Sequence, residues 1–144
     1  MEIQLYKTHA YGREKNNGAH FYIIPEIKAL WVEWFGYPTE EEYKAIILDG
    51  LEVLKEKKLE YWIADTRKLE LISESANEWT IAVATPLAVK NGLLKLGFLL
   101  PEEYLAQFSV EELANNAAKE YQKLNVNIPL KYFSTLEEAL NWHK

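Results

Sequence analysis

At four places in this chain a serine or threonine is followed three residues later by glutamate, and short runs of β-forming residues lie between these places. The pair marks a helix start, because hydroxyl and carboxylate together satisfy the free amides of a first turn. Thr39 with Glu42 opens a stretch whose apolar positions, Tyr43, Ile46, Ile47, Leu51 and Leu54, recur at helical spacing. It ends in the lysine-rich KEKK at 55–58, which suits a helix C-terminus. Ser75 with Glu78 predicts a second helix that carries Trp79, Ala82 and Val83 and closes near Gly92, with Pro86 set to kink it or divide it in two. Ser109 with Glu112 predicts a third, its inward side Leu113, Ala117 and Tyr121. Thr135 with Glu138 opens a short last one, LEEALNWHK.

The runs between the helices, YWIAD at 61–65, LKLGFLL at 94–100 and IPLKYF at 128–133, read as strands. Single strands alternating with single helices imply right-handed crossovers and a mainly parallel sheet. Upstream, HFYIIPEI at 20–27 and KALWVEWFGY at 28–37 form an expected antiparallel pair, EIQLYK at 2–7 adds an edge strand, and YGREKNNG at 11–18 is a loop. The fold class is thus α/β, with a mainly parallel sheet of about five strands, an antiparallel N-terminal pair and about four covering helices. Residues 1–144 are expected to form one domain, with 1–19 as edge strand and loop.

Composition narrows the function classes. A hydrophobic fraction of 49% with 26% charged residues is that of a packed globular chain. The net charge of −6, with Arg13 and Arg67 the only arginines, speaks against nucleic acid or anionic lipid as a partner. The absence of cysteine excludes disulfides, thiolate metal sites and a thiol nucleophile. No run approaches a membrane span and the N-terminus has no secretory pattern, so a cytoplasmic protein without membrane insertion is expected.

No motif carries a chemistry. His9, His20 and His143 lack metal-ligand spacing, the glycines are dispersed and open no phosphate loop, and no serine has the flanking glycines of a nucleophile elbow. Catalytic, cofactor and metal sites are therefore read as none. Asp65 ends a central strand, where parallel sheets place ligands, yet an aspartate there commonly accepts the amides of the next turn; Arg67 beside it suits an ion pair or an anion. Ser73 and Ser75, near a helix start, are either caps or phosphate acceptors. The tryptophans stand out: Trp31, Trp34, Trp62, Trp79 and Trp142. In LWVEWF, Trp31 and Glu33 share one face of a strand while Leu30, Val32 and Trp34 share the other, so one aromatic set faces away from the main core.

The segments WVEWFGYPTEEEY, YWIADTRKLELISESANEW and YFSTLEEALNW, with the order of elements from about residue 20 onward, resemble the STAS family of bacterial anti-sigma-factor antagonists and its STAS/SEC14-like single-domain relatives. The resemblance implies a non-enzymatic regulatory domain acting by protein–protein binding. It implies a phosphorylated serine after the central strand, a position that Ser73 or Ser75 occupies, although ISESAN replaces the usual Asp-Ser-Ser-Gly-like turn. Two readings follow. In the first, loop 65–79 and an exposed aromatic strand 30–35 form the contact surface of a protein partner or homodimer, with Trp31, Trp34, Trp62, Asp65, Arg67 and Trp79 as its surface residues. In the second, Trp31, Trp34, Trp62 and Trp79 wall a pocket for a small apolar ligand or lipid. An enzyme joining Asp65 to a histidine is the third class weighed.

Overall fold

A computed structural model describes residues 1–142. The chain runs β1 (Gln4–Tyr11), β2 (Asn17–Ile24), β3 (Ala29–Gly36), α1 (Glu40–Glu56), β4 (Tyr61–Leu69), α2 (Glu74–Trp79), a π-helical turn (Thr80–Ala84), α3 (Thr85–Lys90), β5 (Lys95–Leu99), α4 (Tyr104–Lys123), β6 (Leu130–Phe133) and α5 (Leu136–Leu140). The six strands form one sheet in chain order. β1, β2 and β3 pair antiparallel, and β3 to β6 pair parallel. The architecture is α/β as the sequence implies, with β1 a full eight-residue edge strand and most of the expected 11–18 loop reduced to a turn ahead of β2.

Strands laid down in chain order and joined by right-handed crossovers place their connecting helices on one side. Residue alternation shows this directly. Leu30, Val32 and Trp34 of β3 and Trp62 and Ala64 of β4 join the inner residues of α1, α3 and α4 in one large core, here the helical face. Trp31, Tyr61, Ile63, Leu99 and Phe133 form a smaller core on the opposite face, under Ala139 of α5. Two glycines set the packing of these faces. A Cβ on Gly50 in α1 would lie 2.4 Å from the Trp62 ring, and one on Gly97 in β5 would lie 2.8 Å from the Tyr61 hydroxyl. Each glycine makes room for one large aromatic.

Two helix starts differ from the sequence reading. Thr39 and Thr135 cap α1 and α5 as the boxes imply. In α2, however, the cap is Ser73, which accepts the Ala76 amide, so Ser75 lies inside the first turn. Helix α4 starts at Tyr104 under a Glu103 cap, leaving Ser109 buried in the helix with its hydroxyl donating to Ala106 O. A serine box in mid-helix is satisfied this way at little cost, which makes it a false start signal. Pro86 does divide its helix. Its ring cannot follow a tight turn, and the chain widens into the π-turn, where the amide and hydroxyl of Thr85 both donate to Thr80 O.

The edge strand is tied to the helical layer by charge. His9 Nε2 lies 2.6 Å and Lys7 Nζ 3.0 Å from Asp49 Oδ2 on α1. Burial acts to raise the Asp49 carboxyl, but the His9 and Lys7 hydrogen bonds outweigh it and hold the group below its ordinary value. Among the described residues no helix is long and apolar enough to cross a membrane.

Candidate functional site

Between the helical face of the sheet and the helices above it lies a cavity of about 80 Å³. Trp34 from β3, Trp62 from β4, Phe98 from β5, Tyr43 from α1 and Tyr121 from α4 supply its aromatic wall. Thr80, Ala84 and Thr85 of the π-turn and its exit close another side. Small residues at Ala64, Ala88 and Ala117 leave the space that larger side chains would fill. Among the described residues, no charged side chain lines it.

The wall is ordered at one end. The Trp34 and Tyr43 rings stack at 5.0 Å, and Trp79 meets Tyr43 edge-on at 6.4 Å. Thr80 Oγ1 donates its single proton to Ala76 O at 2.7 Å, so the Tyr43 hydroxyl, 2.8 Å away, donates to Thr80. Burial pushes the Tyr43 phenol up to about 12, although the Thr80 contact works the other way. Thr66 Oγ1 donates to Leu99 O at 2.7 Å and Thr85 Oγ1 to Thr80 O at 3.0 Å. The three threonines that line the cavity therefore spend their protons on the backbone.

The opposite face carries a polar row. Strand register places Thr8, His20, Glu33 and Asp65 side by side across β1 to β4. Asp65 is 1% exposed and fully engaged. Its carboxylate accepts from Trp31 Nε1 at 3.0 Å, Arg67 Nε at 2.9 Å, Arg67 Nη2 at 2.8 Å and the Arg67 amide at 3.3 Å. The hydrogen bond to Asp65 raises the Arg67 guanidinium, against the opposing effect of burial. Glu33 takes the Tyr22 hydroxyl at 3.4 Å and lies 3.6 Å from Lys68 Nζ. His20 Nδ1 is 2.9 Å from Thr8 Oγ1. Two strand spacings separate His20 from Asp65, about 10 Å, beyond proton-transfer reach. His9 turns to Asp49 on the helical side, and His143 lies outside the described residues. Among the described residues no group of three or more acids and histidines is placed to hold a metal ion.

The residues singled out in the sequence thus scatter. Trp34 and Trp62 line the cavity, 3% and 6% exposed. Trp31 lies on the other face, stacked on Tyr22 at 4.2 Å, and Trp79 stands behind Tyr43. The expected exposed strand 30–35 is corrected: β3 is interior to the sheet, both of its faces are covered, and Trp31 is 8% exposed. Asp65 and Arg67, both on the interior strand β4, form a structural ion pair. Ser73 is a half-buried cap, whereas Ser75 is exposed and donates to Glu40. Sequence reading missed Phe98 as a wall residue. It had Tyr43 and Tyr121 as inward-facing without assigning them to a site, because helical periodicity shows which way a side chain points and not what space it meets. No protein-family model matches the sequence, no curated protein matches it, and no solved structure matches its fold.

Proposed function

We propose that this chain is a non-enzymatic binding domain whose helical-face cavity takes a small apolar molecule or the apolar end of a longer one. The supporting observation is the aromatic, uncharged cavity of about 80 Å³. A close-packed domain keeps few voids larger than a water, and an apolar void of about 150 Å³ is enough to hold benzene. The space here suits a short chain, not a whole lipid. Titration with xenon followed by methyl and indole NMR tests the reading: saturable shifts at Trp34, Trp62 and Leu113 are expected, and their absence would overturn it.

A second reading, protein–protein binding in the manner of STAS domains, draws on the element order and on a different surface from the one the sequence suggested. Tyr104, Leu105 and Phe108, at the start of α4, are 77%, 65% and 60% exposed. Light scattering of the wild type and of Phe108→Ser tests it: an oligomer that the substitution dissolves supports interaction through α4, and monomers throughout remove self-association. A phosphate at Ser75 would sit beside Glu40, Glu74 and Glu78, where like charge opposes it.

A further inference from the structure

Three of the residues that line the cavity carry a donor for which no protein acceptor is found among the described residues. Trp31 is the tryptophan whose indole N–H finds a side-chain acceptor, and those of Trp34 and Trp62 donate to nothing among the described residues. The Tyr121 hydroxyl makes no hydrogen bond there either, although the residue is 4% exposed. These atoms are not sealed in packed protein, since the one sealed side-chain atom without a partner among the described residues is Asn77 Oδ1. Each is therefore within reach of a water molecule or of a ligand acceptor that replaces it.

Trp62 pairs in register with Leu30, four residues before Trp34 on the neighbouring strand, so the two residues are offset by roughly 13 Å along the strands at the backbone. A carboxylate or phosphate entering the cavity would meet neutral donors and no cation. Desolvating an ionised group without such compensation is far more costly than desolvating a hydroxyl or carbonyl. Burial also pushes the Tyr121 phenol up, so it is neutral and donating at ordinary pH.

We infer that the cavity selects neutral molecules with a short apolar body and a single oxygen acceptor, an alcohol, ketone or ester, held by the Tyr121 hydroxyl, and rejects the corresponding acid anions. The inference rests on the ligand-binding reading above and narrows it. Tyr121 is here a ligand-contacting residue, and the indole donors of Trp34 and Trp62 widen the range of positions an acceptor can take.

The test compares ethanol with acetate at pH 7.5, with xenon as the size-only probe, on wild type and Tyr121→Phe. Expected are xenon binding to both proteins, at least tenfold weaker binding of acetate than of ethanol by the wild type, and a threefold to tenfold loss for ethanol alone in Tyr121→Phe. Xenon binding with equal affinities for alcohol and anion would overturn the selectivity and leave the binding reading standing. Selectivity that survives unchanged in Tyr121→Phe would overturn the role of that hydroxyl. No binding of xenon would remove the reading on which the inference is built.

Discussion

The two faces of the sheet are built from the same strands, one residue out of phase, and they spend their large side chains differently. On the second face the polar groups of the strands are paired: Asp65 holds Trp31 and Arg67, Glu33 holds Tyr22 and Lys68, and the Tyr61 hydroxyl donates to Ala139 O at 2.8 Å. On the helical face the aromatic side chains enclose space and leave donors idle. A saturated face specifies structure, while an unsaturated one has capacity left for something else. The most suggestive residue in the sequence, Asp65, belongs to the saturated face.

Substitutions can break that contrast. The largest effect is expected at Asp65. Asp65→Ala strands the Trp31 indole and a half-covered guanidinium, and should cost about 3 kcal/mol in urea unfolding, less than a wholly buried pair because Arg67 can turn to water. The two glycines make a matched pair next. Gly97→Ala drives a methyl against a Tyr61 ring already pinned by Ala139, at a cost of about 1–3 kcal/mol. Gly50→Ala meets Trp62, which borders the cavity and can pivot into it; the clash and the gain of about 1 kcal/mol in helix propensity should nearly cancel. Equal losses at the two sites would show the helical face to be as tightly packed as the other.

Filling the space sharpens the contrast further. Ala64→Val adds volume and a β-branched side chain to the cavity floor, and should raise the unfolding midpoint slightly, by up to about 1 kcal/mol, while abolishing xenon binding. A clear loss of stability would mean that no usable space exists. The smallest effect belongs to the β1 clamp. The Asp49 carboxyl is held below its ordinary 3.8, so the stability it lends is present above that pH and lost as the pH falls through the lowered value. With Lys7 and Asp49 partly solvated this amounts to less than about 1 kcal/mol, and Asp49→Asn should flatten the acid limb of the stability profile while speeding amide exchange in β1.

Much of the fold is written locally. The Thr39 and Thr135 boxes, the helical spacing of Tyr43 to Leu54 and the break at Pro86 act within a few residues, and each appears where the sequence places it. Ser75 and Ser109 mislead because a hydroxyl three residues before a glutamate can equally serve a helix interior. The site was less legible. Alternation alone puts Trp31 and Trp34 on opposite faces, but which aromatics share a cavity depends on strand register and on the stacking of α1 and α4 over the sheet, and that is what brings Trp34, Trp62 and Phe98 to one space. The vacancy itself follows from alanines at positions 64, 88 and 117, far apart in the chain and unremarkable singly.

The π-turn at 80–84 makes chain length, as well as composition, a determinant of this molecule. A regular helix turns about 100° per residue, and the π-turn spreads one additional residue over nearly the rotation of four, so a natural variant lacking one residue within 80–84 would close that stretch in ordinary α-helix and deliver α3 on the same face. The same deletion elsewhere in the helical stretch would rotate α3 by that angle and swing Thr85 and Ala88 away from the wall they share with Trp62. Single-residue deletions, usually tolerated in loops, should be tolerated within 80–84 and resisted in the flanking turns, and a scan of one-residue deletions along 76–90 would map the difference directly.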